Sequence, residues 1–227
     1  MSAFEGVLGT LDGSFASSYN FTVPAGGVPA GNHLMIGLFL NSTAANLNSV
    51  TDSRGNTYVI DNDFVGTFVA VHLYSVSARI ATALLENDTI TFTLSQVEGI
   101  AATLLEFSAM ATSAFFDQFA EAHVTFSTSH SSGLTPQTAQ ADEVCVGFHV
   151  WDDEVQTWTP HASYTEDNER TAQGQRCVTQ HKIVAATGQY ESNGTTSASV
   201  ASENIVATYK GATADVILPH TWRTHYT

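Results

Sequence analysis

Carboxylates, histidines and a few aromatics are the side chains of this 227-residue chain with the chemistry for a site. Asp61-Asn62-Asp63 offers oxygen ligands, with Asp52 or Asn56 on the preceding turn. Ca²⁺ takes about six to eight such oxygens, so Asp52, Asp61 and Asp63 are the candidate calcium ligands. A second group, Asp152-Asp153-Glu154, lies in a stretch from Asp142 through Glu169 that holds eight acidic residues before Arg170 appears. Neither group has the spacing of a known calcium loop, and solvated loop carboxylates are the plainer reading. The nine histidines are scattered. His72, His149 and His181 fall on expected strands and could point the same way, which would allow a metal or a general base. Satisfied core or surface histidines are the more ordinary reading.

Trp151, Trp158 and Tyr164 bracket the acidic loop. Exposed, they would grip a sugar; packed back onto their sheet, they would be core, and packing is the favoured reading. The chain contains no G-x-S-x-G, H-E-x-x-H, P-loop or G-x-G-x-x-G motif, and nothing selects a glycosidase-like carboxylate pair. The expectation is a protein that is not an enzyme. No cofactor is expected, with calcium as the one the residues admit.

The elements that must position these residues read as strands. His33–Leu40, HLMIGLFL, is a continuous apolar run of strand length, the pattern of a strand buried on both faces. It returns as Glu143–Val150, EVCVGFHV, with Gly37 and Gly147 at matching places. Ser18–Val23 reads as a first strand, and Ser49–Ile60 as a hairpin about Asp52–Asn56. Thr67–Arg79 reads as one long strand with Phe68, Ala70, His72, Tyr74 and Val76 on one face. Asp88–Leu94 alternates Ile90, Phe92 and Leu94 inward with threonines outward, and Ile100–Phe107 follows. Phe115–Phe126 is a connecting strand, and the polar Ser127–Gln140 a crossing between two halves. Arg176–Ala185, Thr195–Val200 and Asn204–Lys210 repeat the earlier pattern. The fold class expected is all-β: a two-sheet β-sandwich as one domain over 1–210, with an internal duplication of halves about 20–126 and 141–210. A tail, 211–227, follows, with Trp222 and Tyr226 as candidate assembly residues.

Hydrophobic residues make up 43% of the chain, enough for a core, and only 13% are charged, so hydroxyls and amides carry solubility. The formal net charge of −15 repels phosphate backbones, and nucleic-acid binding is not expected. The opening MSAFEGVLGT lacks the basic start and apolar core of a signal peptide, so synthesis without a secretion tag is expected. No run approaches the roughly 20 apolar residues of a membrane span. Cys145 and Cys177 fit a disulfide or two buried thiols equally well. Sequons at Asn20, Asn41, Asn87 and Asn193 matter only in a host that glycosylates.

Several runs carry a resemblance: VTDSRGNTY (Val50–Tyr58), VSARIA (Val76–Ala81), ENDTITFTL (Glu86–Leu94), LLEFSAM (Leu104–Met110), ADEVCVGFHV (Ala141–Val150) and the closing Thr187–Gly211. Their order resembles the jelly-roll-type β-sandwich domain of structural proteins in tailed viruses of bacteria and archaea, over about residues 20–211. Ala109 stands where such families usually have Gly. The resemblance implies a virion component made in the host cytoplasm, either a capsid decoration or turret protein or a tail or fibre piece. Its implied partners are other virion proteins and further copies of itself, with no catalytic residues carried over. The alternative is a carbohydrate-binding module for host-surface glycans, using Trp151, Trp158 and the acidic loop.

Overall fold

His33–Leu40 forms strand β2, buried at all eight positions. Successive side chains of a strand point to opposite faces, and here each face has its own neighbours. Leu34, Ile36, Leu38 and Leu40 join a cluster drawn wholly from the first half of the chain. Met35 and Phe39 point the other way, into clusters shared with Val144, Val146, Phe148 and Val150 of the second half. Burial on both sides leaves no position for a polar residue to reach water, and the unbroken apolar run follows.

The computed structural model describes residues 1–212, and the tail residues Trp222 and Tyr226 lie outside them. The described chain is all-β, a two-sheet sandwich with every strand pair antiparallel. β1 (Ala3–Thr22), β3 (Leu47–Asp52), β4 (Tyr58–Val65), β5 (His72–Arg79) and β6 (Thr89–Ser108) complete the first sheet. Its order is β1-β6-β2-β5-β4, with β3 on β6. The second sheet contains β7 (Phe116–Ser131), β8 (Glu143–Trp151), β9 (Trp158–Pro160), β10 (Thr165–Ala172), β11 (Gln175–Val184) and β12 (Asn193–Lys210). Its order is β7-β12-β8-β11-β10, with β9 on β12. Each strand of the first sheet thus has a counterpart six strands later in an identical plan, as a duplication would leave it. The halves differ from the expected 20–126 and 141–210. β1 begins at Ala3, and β7 pairs with β12, so it opens the second half rather than closing the first.

Two pairs of expected strands are each one bent strand. β6 pairs with β3 through Ile90–Leu94 and with β2 through Ile100–Phe107, while β1 runs beside both parts. Register breaks between Gly13 and Ser18 mark the bend, where Phe15 has φ 58°. The bend brings Ile90, Phe92 and Leu94 into one cluster with Leu34, Ile36 and Tyr74. Thr195–Val200 and Asn204–Lys210 are likewise parts of β12.

Three expectations are corrected. The Asp52–Asn56 turn forms, with Asp52 Oδ1 accepting the N–H groups of Arg54 (2.8 Å) and Asn56 (3.1 Å). Its arms do not pair as a hairpin, because β3 bonds to β6 and β4 to β5. Turn chemistry is local, whereas strand partners are chosen by what each strand buries, and Leu47 and Val50 of β3 bury against the first-half core. The long strand expected from Thr67 begins only at His72. Gly66–Val71 is a tight loop closed by Gly66 N–H to Val71 O, which leaves Phe68 exposed. The passage between sheets falls between Ser108 and Phe116, not in Ser127–Gln140. β7 runs on to Ser131, and beyond it Ser132, Thr135 and Thr138 donate N–H bonds to the carbonyls of Ser192, Tyr190 and Gly188.

Gly37 and Gly147 match in sequence but face opposite ways. A Cβ on Gly37 would meet the Phe148 ring across the junction of the sheets at 2.9 Å, while one on Gly147 would meet Ser192 Oγ inside the second half at 1.7 Å. The spatial counterpart of Gly37 is Phe148, one residue further along. A shift of one residue turns every side chain of a strand over.

Candidate functional sites

The inside of the second half holds a buried polar chain. His149 on β8 stands opposite Asn204 on β12, with Gly147 opposite Gln180 on β11. His149 Nδ1 lies 2.8 Å from Asn204 Oδ1, an oxygen that only accepts, so Nδ1 carries the proton. His149 Nε2 then accepts from Ser192 Oγ at 2.8 Å. Ser192 Oγ receives Gln180 Nε2 at 2.8 Å, and Gln180 Oε1 receives the Trp158 indole N–H at 3.0 Å. On the other side Asn204 Nδ2 donates to Ser202 Oγ (2.9 Å), which stands 2.6 Å from His130 Nδ1. His130 Nε2 reaches Thr196 Oγ1 at 2.9 Å, and that hydroxyl donates to Ala198 O at 2.7 Å. Donation therefore runs one way, from Trp158 through Gln180, Ser192, His149, Asn204, Ser202, His130 and Thr196 to a backbone carbonyl. Each histidine uses one nitrogen as donor and one as acceptor, which only the neutral ring can do. Burial holds His149 down at about 4, against the Asn204 hydrogen bond and with some repulsion from His130. Burial lowers His130 as well.

Ser192, His149 and Asn204 have the connectivity of a nucleophile, base and orienting amide. All three are fully buried. No substrate carbonyl can reach Ser192 Oγ, and the arrangement acts as a fixed, satisfied core network.

A second hydroxyl–imidazole–carboxylate row lies where the halves meet. Thr67 Oγ1 is 3.1 Å from His123 Nε2, and His123 Nδ1 bonds Glu203 Oε2. Glu203 is wholly buried, and its Oε1 accepts the N–H groups of Thr67, Phe68 and Val69 at 2.8, 2.7 and 3.0 Å. Those donors, which could otherwise face an oxyanion, are thus consumed by the carboxylate. The row straps the Gly66–Val71 loop of the first half to β12 of the second. Arg170 straps the other side, its guanidinium donating to Leu11 O (3.0 Å) and Ala102 O (2.8 Å). A third charged group sits at the start of β8. Burial and the adjacent Asp117 raise the Glu143 carboxyl to about 7. Burial opposes ionisation of Asp117 too, but the Ala139 N–H, Glu143 and Lys210 outweigh it and hold Asp117 below its ordinary value.

The residues singled out in the sequence do not gather. Asp52 is spent on its own turn, also accepting Asn56 Nδ2 (2.8 Å) and the Tyr58 hydroxyl (3.1 Å). Asp61 is bonded by Tyr209 at 3.0 Å, and burial raises it to about 6 against the hydrogen bonds of Ser77 and Tyr209. Asp63 bonds His72. The three carboxylates have separate partners, and among the described residues no group of three or more His, Cys, Asp or Glu could hold a metal ion. His72, His149 and His181 are apart as well, since His181 packs on Phe4 at the junction and bonds Asp167 at 2.7 Å. Trp151, Trp158 and Tyr164 are buried, so they offer no exposed sugar platform. The two tryptophans stack on each other at 5.8 Å. Cys145 and Cys177 are buried free thiols.

One open site was missed in the sequence. Tyr164 and Tyr190 cover the Lys182 ammonium, at 4.5 and 5.1 Å from their ring centroids, beside a hollow of about 200 Å³ that His161 and Asn193 also line. The only sequence signal was the rarity of lysine, with Lys182 and Lys210 the only two in the chain. No family model matches the chain, and neither a curated protein nor a solved structure matches it.

Proposed function

We propose that this chain is a non-enzymatic structural protein of a tailed-virus particle, a capsid decoration or turret component or a tail or fibre component, and that it assembles through its long edge strands. One observation carries the assembly reading. Phe15 on β1 sits between the pairs Gly13↔Ile100 and Ala16↔Glu98, and Phe126 on β7 sits between Val124↔Ser202 and Ser127↔Val200. These are equivalent places in the two halves, at the bend of each long strand, and the phenylalanines are 83% and 82% exposed. β1 and β7 are the outer strands of their sheets. An exposed edge invites pairing with another chain, and each phenylalanine would contribute about 1.5–3 kcal/mol if covered. The partners would be other virion proteins or further copies of the chain. The virion identity itself rests on the sequence resemblance.

The double variant Phe15→Ser/Phe126→Ser tests this reading. Its unfolding midpoint is expected to stay near that of the wild type, because neither ring is packed, while incorporation into purified particles falls at least several-fold by quantitative mass spectrometry. Undiminished incorporation, or absence of the wild-type chain from particles, would remove the proposal. A second reading, attachment to host-surface glycans, is favoured by the hollow at Lys182 rather than by the buried tryptophans.

A further inference from the structure

We infer that the hollow beside Lys182 is a binding site for a carboxylate-bearing sugar, with the ammonium taking the carboxylate. The inference rests on the glycan-attachment reading and gives it a ligand class.

Lys182 lies on β11 with its side chain on the inner side, opposite Cys145 of β8. Among the described residues its Nζ has no ion pair and no hydrogen bond, only the faces of Tyr164 and Tyr190. The other lysine shows what this acidic chain ordinarily provides: Lys210 pairs with Asp117 at 3.2 Å. Glu191 is the one carboxylate that lines the hollow, and it attracts Lys182, but its two oxygens are held by other donors. Its Oε2 accepts Ser131 Oγ at 2.5 Å and its Oε1 accepts Asn193 Nδ2 at 3.1 Å. Burial also pulls the Lys182 ammonium below its ordinary value, against the attraction of Cys145 and Glu191. A partly dehydrated cation held by aromatic faces and open on one side gains most from an anion that arrives from outside.

The hollow is shaped for more than a bare ion. Its volume of about 200 Å³ is below the roughly 300–1,000 Å³ of drug-sized pockets, and suits one sugar ring. Tyr190 and Leu134, the latter 59% exposed, give it an apolar wall, while Ser163, Gln189 and Asn193 supply hydroxyl and amide groups. A neighbouring hollow of about 160 Å³ shares His161 and Asn193 with it, so a second ring has a place to continue. Gly194 lines that second hollow, and its missing side chain makes room for the buried Trp158 ring beneath, which a Cβ would meet at 2.3 Å.

The test uses the full chain, isotopically labelled, titrated with methyl glucuronide, methyl glucoside and inorganic sulfate while backbone amide shifts are followed. The glucuronide is expected to shift His161, Tyr190 and Asn193 and to bind roughly tenfold more tightly than the glucoside, the scale of one charge-assisted contact. Lys182→Met keeps the stem between the tyrosines and is expected to erase that preference. Lys182→Arg retains the charge and is expected to preserve most of it, which separates loss of the cation from loss of fold. Equal binding of glucuronide and glucoside overturns the inference and leaves glycan attachment standing. Sulfate shifting the same amides as strongly as glucuronide also overturns it, in favour of a simple anion hole. No shift with any sugar removes both.

Discussion

On the inner face of β6 the first half places Ile100, Ala102 and Leu104; at the equivalent places on β12 the second half has Ser202, Asn204 and Val206. On β2 it places Ile36, Leu38 and Leu40, answered on β8 by Gly147, His149 and Trp151, and Val76 of β5 is answered by Gln180 of β11. One strand plan thus encloses an apolar interior in one half and an oriented hydrogen-bond chain in the other. Apolar burial is non-directional and accepts side chains of similar volume. A buried polar chain works only if every member is satisfied, so it fixes one geometry and fails when one link is changed. The first half therefore reads as scaffold. The second half, held to a single conformation beneath the hollow at Lys182, is the better place to present a ligand site.

Substitutions at equivalent places should divide the halves most sharply. His149→Leu leaves Asn204 Oδ1 and Ser192 Oγ without their partner. At about 1–3 kcal/mol for each abandoned group, a loss of roughly 2–5 kcal/mol is expected in urea unfolding. Leu38→Met, at the matching place of the first half, is expected to cost less than about 1.5 kcal/mol. Similar losses from both would mean that the polar chain specifies nothing the apolar interior does not.

Acid should come next, and it acts on the polar interior. His149 is held at about 4 in the fold, below the roughly 6.5 of an unfolded histidine. Between those values the unfolded chain binds the extra proton, so the stability His149 contributes is present above about pH 6.5 and lost as the pH falls through 4. His130 acts in the same direction, and so does His33, which burial also lowers to about 4. Asp61 and Glu143, raised in the fold, act oppositely. The difference between wild type and His149→Leu isolates the one group. Their stability gap is expected to narrow from pH 7 to pH 4, by up to about 3 kcal/mol; a gap that does not change with pH would contradict the neutral ring.

The smallest contrast concerns the two glycines. A methyl on Gly37 meets a ring that can shift within an apolar junction, while a methyl on Gly147 drives into Ser192, which is tied to His149 and Gln180. Overpacking costs about 1–3 kcal/mol, and Gly147→Ala is expected at the upper end with Gly37→Ala at the lower. The reverse order in thermal unfolding would place the more rigid packing at the junction.

Much of the fold was legible because period and turn chemistry are local. β2 was legible residue for residue, as was the inward face of Ile90, Phe92 and Leu94. The bends in β6 and β12 were not, because polar residues at a bend look like a loop between strands. The matching glycines misled for a related reason: identity aligned Gly37 with Gly147, whereas packing aligns it with Phe148. At the sites, the clustered oxygens of Asp52, Asp61 and Asp63 admitted calcium, yet Asp52 turns to its own loop and Asp63 to His72, while Asp61 takes Tyr209, a partner that sequence distance could not reveal.

By itself the sequence determined an acidic all-β chain with a doubled pattern and a strand buried on both faces, since burial is written in periodicity and composition. Only the tertiary structure decided that Ser192, His149 and Asn204 join in a sealed network, that Glu203 straps one half to the other, and that Lys182 faces a hollow whose one lining carboxylate, Glu191, is bonded to Ser131 and Asn193. These depend on contacts between residues far apart in the chain, and on which side of a strand a single-residue register places each side chain.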